Sequence, residues 1–283
     1  MNAVAFAALA SMLFGTADFL GGLASRKAPA LVVTLIAMLA GFVLLLPAAA
    51  GAGGSPGIAD YAWSVAAGVF GGLGVALLFH VLARGPVGAV APIVAVCGVA
   101  MPAVSGLLFG EQPGAWPITG IALAAVAVVL VSGGEHPGSQ TDAKAHASTL
   151  MLSAVAGFGL GAFLVCISRV PATAGLWPLV VARLAGLVAV VIVMVFRHVP
   201  LAGARAAWGG SAISGLTDAA ANLLFLWIVR QHPLSIVGTI VSLSPATVVL
   251  LARVVLRERF HRRQVAGLAL AGAAIVLMTF KRG

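Results

Sequence analysis

Two stretches decide the fold: residues 85–111, GPVGAVAPIVAVCGVAMPAVSGLLFGE, and residues 232–258, HPLSIVGTIVSLSPATVVLLARVVLRE. In each, a proline leads after 25 positions to a glutamate (Pro86 to Glu111, Pro233 to Glu258) and after 34 to a glycine (Gly120, Gly267), which sets the copies 147 residues apart. The correspondence continues upstream. Leu77-Leu78-Phe79 answers Leu223-Leu224-Phe225, Trp63 answers Trp208, and Phe14-Gly15 answers Phe158-Gly159, with the offset falling to 144. The chain reads as a duplication.

The duplicated material is apolar. Of 283 residues, 61% are hydrophobic and 8% charged, and the mean hydropathy is +1.14. A soluble domain carries roughly 25% charged residues, so this chain cannot cover a water-facing globule. A net charge of +9 would suit a nucleic-acid binder. The 16 Lys and Arg, however, sit in short clusters between apolar blocks, which is juxtamembrane spacing; no nucleic-acid partner is expected.

A bilayer crossing takes about 20 mostly apolar residues. Ten blocks meet that need: 3–24, 31–50, 62–83, 87–109, 116–132, 149–168, 177–196, 208–229, 235–256 and 265–280. The breaks between them carry turn chemistry or charge, as in Ser25-Arg26-Lys27, Arg84-Gly85-Pro86 and Arg230 to Pro233. Continuous runs of this length exclude a transmembrane β-barrel, whose strands alternate. Met1 to Leu23 lacks a basic n-region and is read as the first span, not a signal peptide. Cys97 and Cys166 fall inside spans, as small apolar fillers. The expected fold is an all-α polytopic membrane protein of ten transmembrane helices. Its first five-helix repeat covers 3–132, a loop covers 133–147, and the second repeat covers 148–280.

Five is odd, so the second copy enters the membrane from the opposite face, the inverted-topology repeat that many secondary transporters use. Charge agrees. No Lys or Arg surrounds Glu111, whereas Arg257, Arg259, Arg262 and Arg263 surround Glu258.

The strings Arg84-Gly85-Pro86 to Glu111, Ser242-Leu243-Ser244-Pro245 through Arg253 to Glu258, and Gln264 to Gly267 resemble the two EamA repeats of the drug/metabolite transporter superfamily. Phe14-Gly15-Thr16-Ala17-Asp18-Phe19-Leu20-Gly21-Gly22 is similar to the first-helix motif of one EamA branch, and the resemblance spans essentially the whole chain. It implies a ten-helix carrier of small organic solutes, often an exporter, with its cavity between the halves. His232 stands where the pattern usually has Gly, and Gln112 where a basic residue is common. The resemblance also implies cytoplasmic termini. The Lys/Arg count implies the reverse, because ten basic residues lie on the face opposite the termini and four on the termini's own face. Orientation is therefore left open.

Function is sought where residues are costly to keep. A carboxylate at the bilayer centre costs about 2.5–3.5 kcal/mol on insertion scales. Asp218 lies mid-span in Ser211-x3-Gly215-x2-Asp218-x3-Asn222, and Asp18 lies in Ser11-x3-Gly15-x2-Asp18-x3-Gly22. Both spacings keep one helical face small and polar, so both should face the interior. Loss of water disfavours a charged carboxyl, which makes either Asp a site for a proton or a substrate ammonium group. The competing reading has each Asp pairing with a helix end or an Arg, a structural role. The ninth span adds Thr239 and Ser242 on its own polar stripe, and Pro245 frees the carbonyl of Val241. Pro92 and Pro102 in the fourth span free those of Gly88 and Gly98, so two helices in matching positions are expected to break and line a cavity. Arg183, about 9 Å inside its span at 1.5 Å per residue, is within reach of an interior Asp or a substrate carboxylate, but a long side chain this close to a helix end is expected rather to snorkel toward the interface. Small-residue pairs such as Gly68-x3-Gly72 and Gly157-x3-Gly161 are expected by chance in a chain with 35 glycines.

These residues point to a multi-pass secondary transporter, placed in a bacterial inner membrane. It would move an amino acid, metabolite or drug-like compound by alternating access, with possible proton coupling. No ATP-binding motif is present, and no cofactor or metal is expected. An intramembrane enzyme would need a nucleophile and a base at one depth, and His80 is the one imidazole within a span. A non-transporting assembly protein would not need two acids in polar stripes. The partners expected are a small solute and the lipid bilayer; oligomeric state is not legible.

Overall fold

The computed structural model describes residues 2–84, 87–110, 115–132, 143–255 and 262–279. These form α1 (Asn2–Ala24), α2 (Ala30–Ala52), α3 (Ile58–Arg84), α4 (Val87–Leu108), α5 (Ala115–Ser132), α6 (Ala143–Ser168), α7 (Trp177–Phe196), α8 (Ala204–Val229), α9 (Leu234–Val241), α10 (Ser244–Val255) and α11 (Arg262–Thr279), with a 3-10 turn at Ala172–Ala174. No strand occurs among the described residues. Lipid imposes helix on such runs because each backbone donor and acceptor must be satisfied within its own segment. Among the described residues, seven segments are long and apolar enough to cross a bilayer: Val4–Ala24, Ala30–Ala52, Ile58–Arg84, Ser148–Ser168, Trp177–Phe196, Ala204–Val229 and Leu234–Val255, the last covering both α9 and α10. Ile93–Leu108 and Ile118–Ala127 are shorter apolar helices.

The outside is apolar and the inside carries the polar groups. Met12, Val43, Phe70 and Trp227 are exposed, whereas Ser64, Ser153, Ser211 and Asn222 are buried. The three serines donate to the carbonyl four residues back in their own helix, so their hydroxyls need no outside partner.

Packing follows a two-fold pattern. α3 packs on α6 and α7, and its repeat equivalent α8 packs on α1 and α2; α4 lies on α6, as α9 and α10 lie on α1. α5 pairs with its own equivalent α11, and α2 with α7. Individual contacts repeat as well. A methyl on Gly68 of α3 would overlap the Ala182 carbonyl of α7, and one on Gly215 of α8 would overlap the Ala37 carbonyl of α2. Gly72 approaches Gly186, while Gly157 and Gly161 of α6 press on Val94, Cys97 and Met101 of α4. Two glycine pairs attributed to chance are therefore working contacts, the close approach that small residues permit between helices.

The loops show the inversion. The second loop of the first half meets the first loop of the second half, with the Ser55 N–H donating to Thr173 O at 3.0 Å. Reciprocally, Gly203, ahead of α8, lies against Lys27 and Ala28, after α1. Gly203 has φ +75° and a side chain there would strike the Lys27 carbonyl, so the turn demands glycine twice over. Loops of unlike rank share a face only if the halves run in opposite directions.

One expectation fails. The ninth span breaks between Val241 and Ser244, just ahead of Pro245, but α4 runs unbroken through Pro92 and Pro102. The reason is visible at Gly98. Its carbonyl, released by Pro102, accepts a hydrogen bond from Ser242 Oγ at 3.0 Å, so the helix continues with no orphan acceptor there.

Candidate functional site

α8 presents Asp218 and Asn222 one turn apart. Asn222 Nδ2 donates to the Asp218 carbonyl at 2.8 Å and to Asp218 Oδ2 at 3.0 Å, fixing the carboxylate against its own helix. From α7, Arg183 reaches the same oxygen through Nη2 and forms an ion pair whose side chains are 11% and 20% exposed. The guanidinium passes over Gly41 of α2. A methyl there would sit 3.1 Å from Arg183 Cζ and Nε and 3.0 Å from Gly215 O, so the missing side chain opens the path. Arg183 thus does not snorkel. A nearby acid and a glycine corridor offer it a better partner than the interface.

Asp18 comes from α1. Ser214 Oγ of α8 donates to Ala17 O at 2.7 Å, which ties α1 to α8 beside this position. Asp18 is near enough to Asp218 for the two to act on each other electrostatically. Among the described residues, no hydrogen bond or ion pair reaches the Asp18 carboxylate.

Asp18, Arg183, Asp218 and Asn222 line one cavity of about 100 Å³ between the halves. The break between α9 and α10 contributes Ser242, Ser244 and Pro245, and the remaining wall is largely apolar, with Phe14 and Phe163 among it. A Ser–Leu–Ser segment with a proline after it cannot close a continuous hydrogen-bond ladder, and so places backbone and hydroxyl groups at mid-depth.

The residues expected here divide. Asp18, Asp218, Asn222, Ser242 and Pro245 share the cavity. Thr239 is fully buried in α9 and bonded to Ser235 O of its own helix, away from the lining. Pro102 packs its ring on Gly238 of α9, and Pro92 stands in the same continuous α4. Arg183 is the residue that sequence reasoning misplaced. Its signal was a lone charge a third of the way into an apolar span. His80 lies off the cavity, 3.1 Å from Arg84 Nη1. Both cysteines are free, and no cluster among the described residues could hold a metal ion.

The first half holds the same geometry without the ion pair. Gly186 of α7 mirrors Gly41, and a methyl there would meet Met38 and the Gly68 carbonyl, where Gly41 meets Arg183 and the Gly215 carbonyl. Met38 also touches Gly72, which the Leu77–Leu223 offset of 146 aligns with Asp218. A thioether against glycine stands where the other half has guanidinium against carboxylate.

Comparison with known proteins agrees with this architecture. A solved crystal structure superposes with a TM-score of 0.72 at 14% identity, over 98% of this chain and 96% of its own, which shows a shared fold. The search of curated proteins returned no match. The model of the EamA-like transporter family matches twice, at residues 1–133 and 147–280. With two inverted repeats around an interior cavity and a family match over both, the chain belongs to the EamA-like transporters of the drug/metabolite transporter superfamily, a multi-pass integral membrane protein.

Proposed function

We propose that the protein is a secondary transporter of ten spans that carries a small organic solute across a bacterial inner membrane by alternating access. The observation that carries this reading is the polar cluster of Asp18, Arg183, Asp218 and Asn222 in a cavity between mirrored halves. Charged groups at that depth are kept for solute or ion pathways, and two inverted halves can exchange roles by rocking. Unequal packing supports the same view. α1 lies against α3 and α4 against α5, whereas α6 meets α8 slightly and α10 has no substantial contact with α11 among the described residues. Equivalent helices packed differently are what one state of an alternating pair looks like.

Gradients drive the cycle in this reading, and Asp18 or Asp218 is the proton site if coupling exists. Among the described residues, the polar lining contains no His or Cys, which weighs against an intramembrane enzyme. Reconstitution into proteoliposomes tests the proposal. Counterflow of a labelled solute, lost on Asp218→Asn or Asp18→Asn in folded protein, is the expected result. Absence of flux for amines, amino acids and metabolites alike, in either direction and under either pH gradient, would overturn it.

A further inference from the structure

Resting on that reading, we infer that the cavity selects a monovalent organic cation, an amine with an apolar body and no carboxylate of its own. Among the described residues, the charged groups lining it are two carboxyls, Asp18 and Asp218, and one guanidinium, Arg183. Arg183 and Asp218 neutralise each other, and Asp18 is the carboxyl left without a counter-ion among the described residues; a cationic ligand would supply one. The hydrogen-bonding ledger leans the same way. The Asp18 oxygens accept nothing from the described residues. Asn222, 4% exposed, commits its amide nitrogen to Asp218 and leaves Oδ1 buried without a partner. The Asp18 carboxyl lines the cavity, and once ionised it accepts hydrogen bonds and donates none. A bound molecule must therefore bring the donors and the positive charge.

An anion finds less. The Arg183 guanidinium is engaged by Asp218. The start of α10 has little to offer as a helix-end anion site, since Pro245 has no N–H and the Ala246 N–H already donates to Leu243 O. An amino acid would satisfy Asp18 with its ammonium group and leave its carboxylate beside Asp218. Phe14 and Phe163 in the wall suit the apolar part of an amine and can face its cationic end.

Four matched probes test this on the purified full chain in nanodiscs by calorimetry: phenethylamine, phenylalanine, 3-phenylpropionate and 2-phenylethanol. Phenethylamine should bind roughly tenfold or more tightly than each of the others, the value of a hydrogen bond to a charged group. Asp18→Asn should remove that preference and Asp18→Glu should retain it. If Asp18→Asn does not fold, the ranking of the four probes on the unaltered protein decides alone. Phenylalanine or 3-phenylpropionate binding as tightly as phenethylamine overturns the inference, as does binding of none. Amine binding without flux of any solute would sink the transporter reading and leave this site standing; flux without amine preference would do the opposite.

Discussion

The two halves present one geometry with two chemistries. In the first, Met38 of α2 lies on Gly72 of α3 beside Gly186; in the second, Arg183 of α7 meets Asp218 of α8 beside Gly41. The backbone approaches are mirrored, down to Gly68 on Ala182 and Gly215 on Ala37. Duplication thus supplied a symmetric frame, and the Arg183–Asp218 pair was placed on one side of it. A frame shared by both halves can rock, whereas a single polar site is what a solute needs to bind once. The structural role and the recognition role are separable, and substitutions can pull them apart.

The largest effect should come from Arg183→Met, which copies the first half's residue into the second. It strips the half-buried Asp218 of its counter-ion and leaves it Asn222 Nδ2 alone; breaking a buried pair by removing one partner costs up to about 3–5 kcal/mol, read as lost thermal stability in detergent. Adding Asp218→Ala should recover most of that loss, because replacing a whole buried pair by apolar groups is often neutral, while solute flux stays abolished. A double variant as unstable as the single would show that the pair also braces the fold.

Gly68→Ala and Gly215→Ala probe the symmetric frame. Each forces a methyl into a facing carbonyl, so each should lose about 1–3 kcal/mol, the usual range for overpacking, and to a similar extent. A loss confined to one of them would break the mirror.

The smallest contrast lies within the ninth span. Ser242→Ala leaves Gly98 O without its partner and should cost about 1–3 kcal/mol. Thr239→Val removes a bond that α9 makes to itself, away from the cavity, and should change stability by less than about 1 kcal/mol with flux intact. Equal effects on flux would put Thr239 back at the site.

Much of the fold is legible before any coordinates. The 147-residue register, the odd helix number and the lone Glu258 loop arginines already imply inverted halves. The 4,3,4 spacing around Asp218 already turns it inward with Asn222, and Asp18 is legible in the same way. Less visible are relations between helices that sequence distance conceals. Nothing local to Arg183 says that its partner is 35 residues on, or that Gly41, 142 residues back, clears the way. Pro102 looks like a breaker because its own span cannot satisfy Gly98 O; the donor, Ser242, comes from the other half. Glycine pairs that statistics make unremarkable acquire meaning when a carbonyl faces them.

The sequence by itself determined the solvent, the helical class, the duplication and its inversion, and the two acids turned from lipid. Each follows from composition or periodicity along one chain. Tertiary structure alone decided that Asp218 has a counter-ion while Asp18 has none among the described residues, and that of the fourth and ninth spans only the ninth breaks at its proline. Charge pairing and hydrogen-bond satisfaction act through space between elements, and no pattern read along a single helix records which neighbour will supply the partner.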